Sequence, residues 1–508
     1  MLSSAFLDGF LAAADRAPDR PAIIVGDQIT RFSEALARAQ SVAREFHKYG
    51  LHPGQRVSFY AENQVNGITA AIGALLANAT FTSMHHSFST GRLARKLADS
   101  GAAFLVTDRA DQIGAADLGL SPAFHAGETS ILARQDRGAS PHPDLGAIFY
   151  TSGSSGDPKG VAMRTEAMLA AQSAVTGYLG INASDVVMSF ATLGSDFGFY
   201  NCFVPLNAGA TVMMERHPPD NSGAIFDRFR RYGVTGLHVF PNVLHDIVAA
   251  ADAHARYSGL RYICSTGQAF PVALLPALRR IFPNAKILSS YGMTECKRIA
   301  YLPDSELDLA AGSIGRPLDG LRAYLLDANG EPVRGADQIG ELALAGPQLM
   351  EGYWNDAEAT QKTMLYNVLG EAKVLLTGDM FRRDAVERYW FVGRRDEVFT
   401  RRGFQVDPRE IERAALSVPG VRDALVVAIP HPVDGYLPGL AVAGPVEPDA
   451  RTPLETALRR TCQQRLEKHM QPECYLVLDA LPRAASGKLC RNTVLGHFQN
   501  NQFSETYS

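Results

Sequence analysis

One loop constrains this chain more than any other feature, because it gathers anion-binding groups directly after an apolar segment. Residues 145–150 read as a buried strand, and residues 151–160 then contain three glycines and four hydroxyl side chains. Glycines let the backbone approach an anion and turn its N–H groups inward, the hydroxyls add donors, and Lys159 adds a positive charge. The spacing is not that of a Walker A loop, since Pro158 stands where that motif needs its second glycine after Gly153. The loop predicts a phosphate cradle, with a flexible surface linker as the alternative.

The length and composition indicate a globular protein of two or three units. The chain has 508 residues, of which 46% are apolar and 20% charged, and this length exceeds what one ordinary core organises. A net charge of −4 does not favour a nucleic-acid binder. Six cysteines without a CxxC pair predict reduced thiols in a cytoplasmic protein. We expect neither a signal peptide, because the first residues lack a basic start, nor a membrane span, because no apolar run reaches about 18 residues.

Helical and strand patterns alternate through the first 150 residues. Residues 32–49 have apolar side chains at helical spacing, and Gly50 follows them as a helix stop. Four short apolar segments read as strands: residues 22–25, 57–60, 104–106 and 147–150. Such alternation predicts a parallel sheet covered by helices, and hence an α/β fold.

Four further motifs follow the phosphate loop along the chain. They are Tyr-Gly-Met-Thr-Glu at 291–295, Thr-Gly-Asp at 377–379, Gly-Arg-Arg-Asp at 393–396 and Pro-Arg-Ala-Ala-Ser-Gly-Lys at 482–488. Together with the loop at 151–160, these motifs resemble those of the adenylate-forming, or AMP-binding, enzyme superfamily. That superfamily comprises acyl-CoA synthetases, luciferases and the adenylation domains of nonribosomal peptide synthesis. The resemblance is nearest to the stand-alone amino-acid adenylation enzymes of nonribosomal peptide and polyketide pathways.

The resemblance implies two domains. The larger, residues 1–395, is expected to contain helix-covered sheets in two α/β subdomains together with a small β-barrel. The smaller, residues 396–508, is expected to be a mobile α+β domain that turns about Asp396. The sequence of the smaller segment agrees with this, because Pro408 opens a helical pattern and residues 421–429 read as a strand.

The resemblance also assigns a nucleotide site. It implies that ATP is held by Thr151, Ser152, Gly153, Ser154, Ser155, Gly156, Lys159, Gly267, Gln268, Tyr291, Asp379 and Arg394. A tyrosine ring offers a face to adenine, and Asp379 suits the ribose hydroxyls, with a simple turn aspartate as the alternative. Thr294 and Glu295 complete the catalytic set as a donor to the α-phosphate and a ligand of Mg²⁺. Lys488 is expected to enter the site and balance the charge that develops at phosphorus.

Asp196 is the residue on which the predicted substrate class depends. A carboxylate among aromatic residues and glycines is either a helix N-cap or a buried charge that needs a cation. The resemblance places Asp196 where amino-acid-activating members pair with the substrate ammonium group. By the same alignment the pocket is lined by Tyr200, Val239, Cys264, Thr266, Ser290, Lys297 and Arg298. Lys297 and Arg298 depart from the small or apolar residues usual there, and they either meet an anionic substrate group or point outward or pair with protein acids.

These features predict an enzyme that uses ATP and Mg²⁺ to convert a carboxylic acid into acyl-AMP and pyrophosphate. The expected acid is a small amino acid, or an acidic or β-type one, in natural product biosynthesis. The acyl group is expected to pass to the phosphopantetheine thiol of a separate carrier protein, because the sequence contains no carrier domain, with coenzyme A as the alternative acceptor. A non-enzymatic nucleotide-binding regulator is disfavoured, since Lys159, Glu295, Asp379 and Lys488 are all present. We expect no nucleic-acid or membrane partner.

Overall fold

The structure is a computed structural model, and the residues it describes fall in several segments. They are residues 3–62, 64–85, 88–135, 142, 144–150, 159–215, 224–252, 254–395, 399–401, 404–431, 435–466, 468–483 and 489–505. The chain is α/β, with a large N-terminal domain and a smaller C-terminal domain. It divides into two compact units, Met1–Arg322 with Ala345–Leu375, and Ala323–Leu344 with Leu376–Ser508. The domain junction after Arg395 and the small barrel remain predictions.

The helices of the described segments cover the sheets of each unit. Short 3₁₀ helices occur at Ser3–Leu7, Val272–Leu274 and Asp304–Glu306. The α-helices are α1 (Asp8–Arg16), α2 (Phe32–Lys48), α3 (Val65–Leu76), α4 (Thr90–Ser100), α5 (Thr165–Leu179), α6 (Asp196–Asn207), α7 (Ala224–Tyr232), α8 (Pro241–Ala250), α9 (Leu275–Ile281), α10 (Ala357–Thr363), α11 (Pro408–Leu416), α12 (Pro448–Arg465) and α13 (Arg491–Glu505).

The strands are numbered in chain order. Those up to residue 302 are β1 (Pro21–Val25), β2 (Gln28–Arg31), β3 (Arg56–Tyr60), β4 (Thr80–Ser83), β5 (Phe104–Thr107), β6 (Leu120–Ala126), β7 (Thr129–Arg134), β8 (Leu145–Tyr150), β9 (Gly160–Arg164), β10 (Val186–Ser189), β11 (Thr211–Met214), β12 (Gly236–Val239), β13 (Tyr262–Thr266), β14 (Lys286–Met293) and β15 (Cys296–Leu302). The remainder are β16 (Ser313–Pro317), β17 (Arg322–Leu326), β18 (Ile339–Ala345), β19 (Gly352–Tyr353), β20 (Met364–Val368), β21 (Glu371–Arg383), β22 (Tyr389–Arg394), β23 (Phe399–Arg401), β24 (Phe404–Val406), β25 (Asp423–His431), β26 (Gly435–Ala443) and β27 (Cys474–Leu478).

The sheet that positions the site runs through the first unit in the order β2-β1-β11-β10-β12-β13-β14-β15-β16. Neighbouring strands from β1 to β14 in this path are parallel, whereas β14, β15 and β16 are antiparallel. Val239 on β12 is in register with Ser265 on β13, and Thr266 is in register with Ser290 on β14. Because parallel strands end at the same edge of a sheet, the ends of β12 and β13 and the Ser290 segment of β14 lie together, and such an edge is where α/β sheets bind ligands.

Helix α6 packs between this sheet and a second one. The second sheet has the order β19-β9-β8-β4-β3-β5-β7-β6. The ring of Phe199 on α6 lies 4.7 Å from the ring of Phe81 on β4 and 5.3 Å from that of Phe149 on β8. Helix α6 also contacts β10 and β11 of the first sheet. The first residue of this helix is Asp196. The packing of α6 between two sheets therefore positions the carboxylate that is predicted to pair with a substrate ammonium group.

The second unit has a separate apolar core. Strands β25 and β26 pair antiparallel from Asp423 opposite Ala443 onward, and β27 lies parallel to β26. Buried residues from the strands and from α11 and α12 share one cluster, which includes Val406, Ile411, Ala415, Leu440, Val442, Leu458 and Cys462. A continuous core of this kind explains why this segment forms a compact unit.

The main features predicted from periodicity are confirmed. The four predicted strands are β1, β3, β5 and β8, and the predicted helix at 32–49 is α2. Gly50, the expected helix stop, has φ of +81°, a conformation that glycine adopts without strain.

All six cysteines are free thiols. Among the helices of the described segments, none combines the length and apolar character needed to cross a membrane.

We expect Gly9→Ala on α1 to destabilise the protein, because α1 and α6 approach each other at this glycine. A Cβ at residue 9 would lie 2.1 Å from the backbone oxygen of Asn207 on α6. The Asn207 side chain also accepts from the Phe10 amide at 3.0 Å and donates to the Phe6 carbonyl at 2.8 Å, so the helices cannot separate cheaply. Overpacking of this kind lowers the free energy of unfolding by about 1–3 kcal/mol.

Thermal and urea denaturation of the purified chain measure this effect. Gly91→Ala on α4 is the matched control, because a Cβ there meets nothing within 4 Å. The control is expected to leave the stability unchanged or slightly higher. Equal midpoints for the two variants would contradict the close approach of α1 and α6.

Candidate active site

The structure brings all eight predicted substrate residues into one region of the first unit. They lie on α6 and on the ends of adjacent strands: Asp196, Tyr200, Val239, Cys264, Thr266, Ser290, Lys297 and Arg298. Thr266 Oγ1 donates to the backbone oxygen of Ser290 at 2.9 Å, and the Cys264 sulfur lies 3.5 Å from Ser290 Oγ. These contacts connect the edge of β13 to that of β14.

Asp196 is not the N-cap of α6. Ser195 has that role, since its Oγ accepts from the Gly198 amide at 3.0 Å. Asp196 is instead the first helical residue, where the helix dipole favours a negative charge. Its Oδ1 accepts from the Phe197 amide at 2.7 Å, and its Oδ2 accepts from the Thr294 hydroxyl at 3.2 Å. The cap alternative is therefore wrong, and the alternative of a buried charge that needs a cation fits the structure.

The cation beside Asp196 is Lys297. Its Nζ donates to Asp196 Oδ2 at 2.8 Å, and the side chains are 7% and 22% exposed for Lys297 and Asp196. Burial lowers the pKa of Lys297 to about 8, although Asp196 opposes this shift. Burial works to raise the pKa of Asp196, but the charge of Lys297 and the hydrogen bonds outweigh it, so that pKa lies below its ordinary value. At neutral pH both groups are charged.

This ion pair corrects one part of the substrate prediction. That prediction assumed that Asp196 and Lys297 are charges at two separate places in the pocket, each available to a ligand. The structure instead joins them directly. The alternative that Lys297 pairs with a protein acid is thus realised, and the two side chains neutralise each other.

Arg298 occupies the same side of β15 as Lys297, which a regular strand would not allow. Successive residues of a strand point to opposite faces, yet the Lys297 ammonium lies 5.4 Å and the Arg298 guanidinium 5.2 Å from the centre of the Phe197 ring. Two irregularities explain this: the pairing of β14 with β15 shifts register between Tyr291 and Met293, and Arg298 has φ of +58°. A left-handed conformation is strained in a non-glycine residue and is typical of functional sites.

The Arg298 guanidinium is buried without an acid. The residue is 3% exposed, and its Nη1 donates to Ser290 Oγ at 3.1 Å. Among the residues that the structure describes, no carboxylate forms an ion pair with it. A buried cation is costly unless an anion meets it. The prediction that an anionic group approaches Arg298 is therefore retained.

Two buried tyrosine side chains lie near these charges. Tyr178, which the sequence did not indicate, lies with its hydroxyl 3.5 Å from the Cys264 sulfur and its ring stacked 4.7 Å from that of Tyr301. Tyr200 is 2% exposed, and within the described part of the chain its hydroxyl has no hydrogen-bond partner. Burial raises the pKa of both Tyr178 and Tyr200, so both remain protonated donors.

A buried, neutral histidine, His238, contacts polar side chains of α6 and β13 beside the site. His238 Nδ1 lies 3.0 Å from Asn201 Oδ1, and Nε2 lies 3.1 Å from the Tyr262 hydroxyl. Burial, followed by the charge of Arg298, lowers the pKa of His238 to about 3. The amide oxygen accepts only, so we assign the proton to Nδ1. No pattern in the sequence indicated this network, because a single histidine in an apolar strand is usually a packed core residue.

On the nucleotide side, Tyr353 connects two predicted residues. Its hydroxyl donates to Glu295 Oε1 at 2.8 Å, and the Lys159 ammonium lies 5.0 Å from the centre of its ring. Tyr353 lies outside the motifs described from the sequence, so this contact was missed. The sequence feature that could have indicated it is the tyrosine of the Gly-Tyr-Trp segment at residues 352–354.

The remaining described nucleotide residues of the first unit lie on or after β13 and β14. Gly267 has φ of +87°, and a Cβ there would lie 2.9 Å from the Phe240 ring, so the turn requires glycine. Gln268 beside it is exposed, and Tyr291 is half-buried on β14. Their roles toward a nucleotide remain predictions.

In the second unit, Asp379 and Arg394 face each other on β21 and β22. Arg394 Nη1 donates to Asp379 Oδ1 at 2.6 Å. Asp379 lies within a strand, so the simple turn alternative is wrong. Glu341, which the sequence did not single out, accepts from the Gly378 amide at 2.9 Å and from Arg395 at 2.8 Å. These contacts order the pair predicted to hold the ribose.

Several predicted residues lie outside the described residues. They are Thr151, Ser152, Gly153, Ser154, Ser155 and Gly156 of the phosphate loop, the hinge Asp396 and the catalytic Lys488. Within the described part of the chain, no group of three or more histidine, cysteine, aspartate or glutamate side chains is arranged to hold a metal. Glu295 alone nevertheless fits Mg²⁺, since this ion commonly binds one carboxylate together with substrate phosphates and water.

Two segments match known protein families. Residues 10–354 match the family described as AMP-binding enzyme, and residues 410–488 match the AMP-binding enzyme C-terminal domain. The first match alone covers more than half of the chain.

Curated relatives differ greatly in length. The chain is 29% identical over 489 residues to Malpibaldin synthetase of Mortierella alpina, a match that covers 93% of this chain and 9% of that protein. It is 28% identical over 518 residues to L-proline--[L-prolyl-carrier protein] ligase of Streptomyces coelicolor, with 92% of each chain covered. The chain therefore spans a small part of the first relative and nearly all of the second.

Solved structures share the fold. O-Succinylbenzoate CoA synthetase of Bacillus subtilis is 24% identical in complexes with the acyl-adenylate OSB-AMP and with ATP and magnesium, with TM-scores of 0.79 and 0.80. The superpositions cover 96% of this chain and 97% and 98% of that chain. At this identity the likeness shows the fold alone.

We expect Tyr353→Phe to slow ATP–pyrophosphate exchange about 10- to 100-fold, because a hydrogen bond to a charged group contributes about 1.5–3 kcal/mol. The phenylalanine keeps the ring beside Lys159 and removes only the donor to Glu295. The half-saturating Mg²⁺ concentration should rise with it. Tyr366→Phe, at a 54% exposed tyrosine, is the control. An unchanged Mg²⁺ dependence would contradict the role of Tyr353 in orienting Glu295.

Proposed function

We propose that this chain, which belongs to the AMP-binding enzyme family, activates a small carboxylic acid with a second acidic group and passes the acyl group to a separate carrier protein. It is an adenylate-forming ligase that uses ATP. In the proposed reaction the acid becomes an acyl-adenylate, and the phosphopantetheine thiol of the carrier then attacks the acyl carbon, which forms a thioester and releases AMP. An acidic or β-type amino acid is the candidate that the sequence favours.

The observation that carries the second acidic group is the charge balance beside Phe197. Asp196, Lys297 and Arg298 lie in one buried region with one negative and two positive charges. Lys297 is neutralised by Asp196, whereas Arg298 donates only to the hydroxyl of Ser290 among the described residues. A guanidinium binds carboxylates in a planar, two-point geometry. A second carboxylate on the substrate would complete this region.

The residues on the nucleotide side supply the adenylation chemistry in this proposal. The substrate carboxylate attacks the α-phosphorus of ATP, and pyrophosphate leaves. We assign Thr294 to the α-phosphate, Lys159 to the phosphates, Tyr291 with Gly267 and Gln268 to the adenine, and Asp379 with Arg394 to the ribose. Lys488 would stabilise the charge of the transition state, a type of contact worth about 10²–10³ in rate.

Mg²⁺ belongs to this proposal as a cofactor held by Glu295. When bound, it neutralises phosphate charge and polarises the reacting phosphorus. The Tyr353 hydroxyl supports this assignment, because a carboxylate held by a hydrogen bond at 2.8 Å keeps its second oxygen in a fixed orientation. The residues of the chain would orient the two reactants.

The acceptor is proposed from the relatives. The Streptomyces coelicolor ligase is named for a carrier protein and aligns over 92% of its length, which supports a carrier thiol here. The Bacillus subtilis synthetase is named for CoA, and CoA remains the alternative. Transfer would follow rotation of residues 396–508 about Asp396, which would remove Lys488 from the site after adenylation. The cytoplasmic location predicted from the six cysteines is part of this proposal.

We expect ATP–pyrophosphate exchange to be at least tenfold faster with acids that carry a second acidic group than with neutral acids of equal length. The acids with a second acidic group are succinate, glutarate, aspartate and glutamate, and butyrate and valerate are their neutral partners. β-Alanine is included as a β-type amino acid without a second acidic group. The best acid is then incubated with ATP and with holo-carrier protein or CoA, and the products are identified by mass spectrometry. Apo-carrier, which lacks the thiol, is the control.

Two results would each overturn one part. A preference for the neutral acids would contradict the second acidic group. Efficient formation of acyl-CoA with no loading of any holo-carrier would contradict the carrier as acceptor. Absence of exchange across a broad panel of acids would contradict the enzymatic proposal itself.

A further inference from the structure

The Asp196 carboxylate already accepts three hydrogen bonds from groups of the protein. Its Oδ1 accepts from the Phe197 amide, and its Oδ2 accepts both from the Thr294 hydroxyl and from the Lys297 ammonium. A carboxylate offers about four lone-pair positions. Three of them are filled by groups that the chain itself provides, and one of these groups is an ammonium.

Lys297 is held firmly in this position. Besides the bond to Asp196, its Nζ lies 5.4 Å from the ring centres of both Phe197 and Tyr200. Cation–π contacts of this kind strengthen when water is excluded, and the Lys297 side chain is 7% exposed. The left-handed backbone of Arg298 directly follows Lys297, and the pairing of β14 with β15 shifts register nearby. Moving Lys297 aside would forfeit all of these contacts at once.

A second ammonium at Asp196 would meet strong repulsion. It would lie within a few ångströms of Lys297, and Arg298 carries a third positive charge beside the same Phe197 ring. Like charges at this distance in a buried region are strongly disfavoured. The region as built has a surplus of positive charge, so it accepts an anion far more readily than a cation.

We infer that Lys297 is a tethered counter-ion of Asp196, and that the enzyme therefore selects acids that carry an anionic group and no ammonium group beside the reacting carboxylate. This inference rests on the proposed function and refines its substrate. It separates amine-free diacids from the acidic amino acids that the sequence favours. The anchor that would bind a substrate amine is present in the chain, but the lysine side chain occupies it.

The test compares matched acids that differ only in the amine. The pairs are succinate with aspartate, glutarate with glutamate and propionate with β-alanine, each measured as kcat/KM for ATP–pyrophosphate exchange. In the wild-type chain the amine-free member of each diacid pair should be at least tenfold better. In Lys297→Ala, the ammonium of the amino acid can occupy the space that the lysine leaves, so the ratio should shift at least 100-fold toward the amine-bearing member.

A second variant guards against misfolding of the first. Lys297→Met with Asp196→Asn removes both charges and keeps the volumes similar, so it leaves no buried carboxylate unpaired. It should lose the discrimination against amines without gaining a preference for them. The thermal midpoint of each variant is recorded alongside the kinetics.

The outcomes distinguish this inference from the proposed function. A wild-type preference for aspartate over succinate, or an unchanged ratio in both variants, would overturn the tethered counter-ion while the adenylating activity stands. Absence of exchange with every acid in the wild-type chain would overturn the proposed function, and this inference with it. A ratio that shifts toward amines in Lys297→Ala and becomes neutral in the double variant supports the inference.

Discussion

The left-handed backbone of Arg298 within β15 is the constraint on which the site depends. With φ of +58° and the register shift beside Gly292, two consecutive cationic side chains reach the same face of the strand and contact one ring, that of Phe197. A regular strand would send one of them into the opposite layer. Holding a non-glycine residue in this conformation costs about 1–3 kcal/mol, and the surrounding strands β14 and β16 maintain it.

The fold then gives these cations their surroundings. Parallel strands β12, β13 and β14 bring Val239, Thr266 and Ser290 to one region, because their register aligns them. Helix α6, wedged between two sheets by Phe199, places Asp196 against Lys297. The result is a buried region with one acid and two bases, in which polar neighbours such as Tyr178, Tyr200 and neutral His238 add donors without adding charge.

Local patterns predicted the strands and the helix at 32–49, since hydrophobic period is a property of adjacent positions. The residues of the site were instead proposed from the resemblance to the adenylate-forming enzymes. Local patterns could not predict the bond between Lys297 and Asp196, because those residues are 101 positions apart and meet only through packing of α6 on the sheet. The same holds for the contact of Tyr353 with Glu295, which joins positions 58 apart. The strain at Arg298 has no signature in composition, because arginine does not favour a left-handed conformation.

The central claim is that Arg298 binds a second carboxylate of the substrate. A double-mutant cycle that changes one group in the enzyme and one in the substrate measures this interaction most directly. One change is Arg298→Met, and the other replaces succinate by butyrate or glutarate by valerate. Loss of one partner of a buried charge pair costs about 3–5 kcal/mol. The account predicts that Arg298→Met lowers kcat/KM for the diacid by about 100-fold or more and hardly changes it for the neutral acid. An equal loss for both acids would contradict the account.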